Sequence, residues 1–183
     1  STVSASSAST AQIVATGDKT LKMYIAGFQN LDPHIWSWGT HVDRMGIFEG
    51  LTLLNSDFTT RMGNAESLEH NEDYTVWTAK LRQDLKWSDG TPLNANDYYY
   101  SLQRVIDPQY LQGKTTAFNT NAPILNALEC QRGDIGFDQV GIKLLDDYTI
   151  EFTLSTACTD FDVRLAESWG LPVPKHAIEK FGD

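Results

Sequence analysis

An α+β fold, with a mixed or antiparallel sheet and flanking helices, is what this sequence predicts. Three observations carry it. Residues 74–82 alternate as a strand, with Thr75, Trp77, Ala79 and Leu81 on one side and Tyr74, Val76, Thr78 and Lys80 on the other. Residues 140–154 read as a hairpin: Val140, Ile142 and Leu144 alternate, Asp146-Asp147 turn the chain, and Ile150, Phe152 and Leu154 alternate again. Between the two, Trp87 to Asp97 packs a strand end, a tight turn and a capped helix start into one short stretch. Strands and helices do not alternate in the βαβ rhythm of a doubly wound sheet.

Taken in order, residues 1–18 begin with STVSASSAST, which offers no large apolar side chain to offset the entropy of ordering, and predict a flexible tether. Leu21, Met23 and Ile25 alternate as a strand, residues 27–38 form a loop carrying Pro33, and 41–50 form a short helix with Val42, Met45 and Phe48 on one face. After the 74–82 strand, Asp89-Gly90 supplies turn chemistry, because Gly accepts positive φ and Asp bonds its own backbone. Asn94 is a good N-cap, and Asp97 places a negative charge in the first helical turn. Tyr98, Leu102, Val105 and Ile106 then share one helical face over 95–106, and Pro108 ends the run. Of Tyr98, Tyr99 and Tyr100, one at most faces solvent. Pro123 opens a further helix over 123–132 that Gly133 closes, and helices over 160–167 and 175–181 complete the chain.

Composition narrows the function. The 183 residues are 41% apolar and 21% charged, ordinary for a globular protein of one domain or one plus a small appendage. A net charge of −10 with scattered Lys and Arg argues against a nucleic-acid partner. No apolar run approaches the roughly 20 residues that span a bilayer. The N-terminal stretch lacks the basic and apolar regions of a signal peptide. Nucleophile elbows, phosphate loops, dinucleotide fingerprints and zinc-protease helices are all missing. His34, His41, His70 and His176 are dispersed, which favours surface or hydrogen-bonded roles over catalysis. Asp146-Asp147 suits a turn better than a hydrolytic carboxylate pair, and Arg132-Gly133-Asp134 is explained by Gly133 as a helix stop. No metal site and no cofactor are implied. Cys130 and Cys158 flank the hairpin, so a disulfide or two unrelated buried thiols both fit. The loop Ile35-Trp36-Ser37-Trp38-Gly39 puts two large amphipathic rings in a non-periodic segment, where they either cover the core or line a ligand cleft.

WSDGTPLNANDYYYSLQRVIDP, together with LDPHIWSWGTHVDRMGIFEGL, YTVWTAKLRQDLKWSDGTPL, VGIKLLDDYTIEFTL and PVPKHAIEKFGD, resembles the bacterial extracellular solute-binding proteins of ABC importers. The likeness is to their family 5, the oligopeptide- and dipeptide-binding type, with the segments in the family's order over most of 21–183. It implies a lobe fragment of a type II periplasmic-binding-protein fold. Residues 19–45 then supply the first strand and cleft loop of lobe I and residues 46–183 its small α/β subdomain, with the second lobe absent. It further implies capture of oligopeptides for an ABC permease by a monomer outside the cytoplasmic membrane, lipid-anchored or periplasmic, with no bond made or broken. The resemblance places Trp36, Ser37, Trp38 and Gly39 against the peptide main chain and Lys114 near the cleft. Ser37 stands where familiar members carry an acid, and Lys114 where they carry an aromatic. Saccharides, nickel chelates or other small solutes are alternative ligands, and a secreted enzyme or adhesion module on the same scaffold is an alternative class.

Overall fold

The computed structural model describes residues 32–35, 46–111, 118 and 122–182. The tether, the strand expected near 21–25 and most of the helix expected over 41–50 lie outside these residues. The described chain starts with a small antiparallel hairpin, β1 (Thr52–Leu54) and β2 (Thr60–Met62), paired Thr52 to Met62 and Leu54 to Thr60. A four-stranded antiparallel sheet follows, in spatial order β3 (Ala65–His70), β4 (Val76–Leu81), β6 (Thr149–Thr153), β5 (Ile142–Asp146). The alternation read from 74–82 and from 140–154 therefore gives β4, β5 and β6, while β1, β2 and β3 go beyond the expected elements.

Register explains why the sheet has one dry face. Trp77 sits opposite Phe152, Ala79 opposite Ile150, and Ile142 opposite Phe152 from the other side. All are buried, whereas Lys80 and Lys143, one residue out of phase, are exposed. Side chains alternate across a strand, so one continuous apolar face results. Two helices close it. The longer, α1 (Ala95–Ile106), lays Tyr98, Leu102, Val105 and Ile106 inward against β5 and β6. The shorter, α4 (Phe161–Leu165), inserts Phe161 between Trp77 and Phe152 at ring separations of 5.8 and 5.4 Å. Each fully buried side chain of this size contributes roughly 1.5–3 kcal/mol of apolar burial.

The α1 start is built as its residues demand. Asn94 Oδ1 accepts from the Asn96 amide at 2.9 Å, and Asp97 Oδ2 accepts from the Asn94 amide at 3.0 Å, a reciprocal capping box. The Ala95 amide donates to Asp147 O at 2.9 Å, which ties the helix start to the β5–β6 turn. Asn94→Ala is expected to cost about 1 kcal/mol, read as a lower urea midpoint with an unchanged slope.

Ahead of the cap, Gly90 takes φ +89° and Asp89 Oδ1 accepts from the Thr91 amide at 2.9 Å. His176, on the last helix α5 (Lys175–Phe181), meets Asp89 Oδ2 through its Nε2 at 2.7 Å and so straps that helix to the turn. The Thr91 amide first, then His176 and the Thr91 hydroxyl, draw the Asp89 carboxyl down to about 2. A carboxyl depressed on folding adds stability above its unfolded value and loses it as pH falls through the folded one. Stability should therefore drop between about pH 4 and about pH 2, and Asp89→Asn should flatten part of that decline in urea titrations across the window. Asp97 acts with the opposite sign, since burial outweighs its Asn94 bond and raises its carboxyl.

One expectation changes and one open alternative is decided. The helix foreseen over 123–132 is the shorter α3 (Ala127–Gln131), which follows α2 (Pro108–Leu111) in the described chain. The Leu125 amide donates to Thr153 O at 2.9 Å and Ile124 bridges Leu154, so the sheet edge claims the residues after Pro123 and Asn126 turns the chain at φ 61°. Cys130 and Cys158 are both free and buried rather than bonded. The Cys158 amide donates to Tyr74 O beside the β3–β4 turn, and its thiol donates to Asp160 Oδ1 at 3.2 Å. Cys130 lies instead in α3, against the 3-10 turn Phe137–Gln139 that leads into β5. Flanking the hairpin in sequence thus leaves the two thiols beside different strands of the sheet.

Candidate functional site

Trp36, Ser37, Trp38, Gly39 and Lys114 all lie outside the described residues. What the structure does describe is the segment that leads directly into the first four, Asp32-Pro33-His34-Ile35, and how it is held. Arg104 on α1 reaches it with both terminal nitrogens. Nη1 donates to Asp32 Oδ1 at 3.2 Å and Nη2 to Asp32 Oδ2, a two-pronged pair that suits the planar guanidinium. Nη1 also donates to His34 Nδ1 at 3.1 Å, while His34 Nε2 lies 2.9 Å from Leu171 O. A nitrogen that accepts from Arg104 carries no proton, so this network assigns His34 as the neutral Nε2–H tautomer that donates to Leu171.

The anchor is dry. Arg104 and His34 are fully buried. Burial pushes the Asp32 carboxyl up, but the Arg104 hydrogen bonds and charge, with the His34 amide at 2.9 Å, more than offset this and hold it below the ordinary value. A second strap lies three residues earlier on the helix. Ser101 Oγ donates to Asp97 O at 2.6 Å and accepts from the Val173 amide at 2.8 Å. One helix therefore fixes two distant segments, 32–34 and 171–173, through Arg104 and Ser101. Sequence reading gave His34 a surface or hydrogen-bonded role, of which the structure shows the second, but did not single out Arg104 or Ser101. The available signal was a lone arginine amid Leu102, Val105 and Ile106 on a helix whose face is otherwise apolar.

Among the described residues no group of His, Cys, Asp and Glu could hold a metal ion, and no helix is long and apolar enough to cross a membrane. The described residues form a groove of about 600 Å³ lined by Glu49, Asn64, Arg82, Lys86, Trp87 and Pro174, among others. It lies beside the WSDGTPL turn rather than on the Asp32–Arg104 anchor.

The chain belongs to the bacterial extracellular solute-binding proteins, family 5, whose middle region matches residues 60–182. It is 40% identical over 168 residues to the periplasmic oligopeptide-binding protein OppA of Escherichia coli strain K12, a match that takes in 85% of this chain and 28% of that relative. It is 33% identical over 139 residues to the probable deoxycholate-binding periplasmic protein YgiS of the same organism, covering 76% of this chain and 26% of YgiS. The solved structure of Burkholderia pseudomallei OppA superposes with a TM-score of 0.75 at 34% identity, over 84% of this chain and 30% of that one. The chain thus spans less than a third of the length of these relatives, and the fold is that of the type II periplasmic-binding-protein lobe.

Proposed function

We propose that this protein is the substrate-capturing part of an ABC-type importer that takes up oligopeptides from outside the cytoplasmic membrane, without making or breaking a bond. The 40% identity to an oligopeptide-binding protein is the observation that carries this reading. Trp36, Ser37, Trp38 and Gly39, rooted on the Arg104 anchor, contact the peptide, and Lys114 approaches the same cleft. Affinity comes from main-chain hydrogen bonds of the strand-addition type, so side chains of many kinds are accepted. Hinge closure shifts the population toward a form that the membrane permease reads. The protein acts as a monomer in the cell envelope, lipid-anchored or periplasmic. These residues bind peptide weakly by themselves, because the groups that fix the peptide amino terminus belong to a second lobe.

One observation favours a second reading: a relative at 33% identity carries a bile-acid name, and two tryptophans suit the flat face of a sterol or sugar. Tryptophan fluorescence titrated in turn with a mixed tri- to pentapeptide library, deoxycholate and oligosaccharides separates the two. A response to peptides at concentrations well above micromolar is expected. A response to deoxycholate or oligosaccharide alone overturns the peptide reading, and micromolar peptide binding by calorimetry overturns the need for a second lobe.

A further inference from the structure

The anchor that Arg104 makes with Asp32 and His34 is balanced in charge only while the imidazole is neutral. Arg104 brings one positive charge and Asp32 one negative, and the Arg104 Nη1 that holds Asp32 also donates to His34 Nδ1 at 3.1 Å. His34 is 0% exposed and the Arg104 side chain 1%. Among the described residues, the charged groups that face the ring are Asp32 from its own segment and Arg104 from α1. The third segment packed on it, 171–173, presents the uncharged Leu171 O to Nε2. A proton on Nδ1 turns the acceptor of the Arg104 bond into a donor and sets N–H against N–H. It also leaves a surplus positive charge in a dry interior, which is strongly unfavourable.

We propose that His34 is a positioning residue for the segment that leads into 36–39, and that it holds this segment to α1 only while Nδ1 is unprotonated, so that acid releases it. On protonation Nη1 must turn from the ring. The same nitrogen holds Asp32 Oδ1 at 3.2 Å, so the two-pronged pair is reduced to Nη2 on Oδ2. The ring stays hinged to Leu171 O through Nε2, and the Ser101 strap to the Val173 amide keeps 171–173 on the helix. Release is therefore confined to the 32–35 segment. Its sign follows from where the proton binds: the closed network takes none at Nδ1, while the opened imidazole takes one below its ordinary value of about 6.5. The hold is complete above that value and weakens as pH falls, with opening favoured by up to about tenfold more for each pH unit. This window lies above the one set by the Asp89 carboxyl, which is drawn down to about 2. That the segment leads into ligand-contacting residues rests on the function proposed above, whereas the proton-dependent release does not.

Imidazole nitrogen shifts and amide hydrogen exchange on the 183-residue chain test the release directly. At about pH 7.5, well above the ordinary imidazole value, His34 should show the neutral Nε2–H tautomer. From about pH 6.5 to about pH 4.5, after correction for intrinsic rates, the His34 amide should lose up to about tenfold of its protection per pH unit, while the Val173 amide keeps its own. His34→Gln and His34→Asn cannot take the proton. Each should be less stable than the native chain at neutral pH, yet lack the native decline in urea midpoint across that window. His70→Gln, on the exposed end of β3, should retain the decline. In a binding arm, tryptophan fluorescence is titrated at neutral pH and at about pH 5 with a tri- to pentapeptide library free of Asp, Glu and His. The native chain should bind about threefold or more weakly in acid, as its competent fraction falls, and His34→Gln should bind equally at both. An imidazolium or an Nδ1–H ring at neutral pH overturns the proposal, as does a native-like decline in both variants. Native binding of equal strength at both pH values overturns the positioning role. No response to peptides at either pH counts against the peptide reading, and the exchange data still decide the release.

Discussion

Arg104→Ala should cost about 3–5 kcal/mol of stability, the loss seen when one partner of a buried ion pair is removed. Three groups are left in difficulty at once: Asp32 keeps a charge with its main partner gone, His34 Nδ1 loses its donor, and the helix gains a void. Arg104→Lys should recover only part of the loss, since a single ammonium cannot serve both carboxylate oxygens and the imidazole. Urea unfolding of the two variants, with Asp32→Ala and the double variant Asp32→Ala/Arg104→Ala, forms the cycle that isolates the pair. The double variant is expected to be much less destabilised than the sum of the singles. Additive losses would mean that Arg104 is held by packing rather than by Asp32.

Trp169→Ala should be comparably severe, at about 3–5 kcal/mol. Trp169 is fully buried in the 3-10 turn Ser168–Gly170 and meets Phe118 edge-on at 5.6 Å. Its buried indole N–H has no hydrogen-bond partner among the described residues. That orphan makes Trp169→Phe the informative companion. The phenyl ring keeps much of the packing and discards a donor whose desolvation costs about 1–3 kcal/mol, so the two changes offset and the net loss should stay within about 1.5 kcal/mol. Thermal unfolding of both variants decides it. If Trp169→Phe is as damaging as Trp169→Ala, the indole N–H has a partner in solution.

Strands β4, β5 and β6, helix α1 and its cap were legible because each is announced within a few residues. Alternation in 74–82 and 142–153 specifies which face is dry, and Asn94 with Asp97 specifies where the helix starts. The small hairpin and the edge strand were not. At three residues apiece, β1 and β2 are too short to display a period, and β3 reads AESLEH, with charges where an edge must resist further pairing. The helix near Pro123 was over-extended because local preference could not foresee that Ile124 and Leu125 would be taken by the sheet edge at Thr153 and Leu154.

The same division runs through the candidate site. The residues read as ligand-contacting, Trp36 to Gly39 and Lys114, came from composition and family likeness, and the dispersed spacing of the histidines left His34 either a surface or a hydrogen-bonded role. Nothing near Arg104 in sequence says that its partners are Asp32 and His34, because those contacts join positions about 70 residues apart. Patterns carried by neighbouring residues set the class of fold, the capped turn and the family. Burial set the rest: only when α1 is pressed onto the sheet does Arg104 lose water, and only then must a carboxylate and an imidazole come to it, fixing the root of the loop that follows.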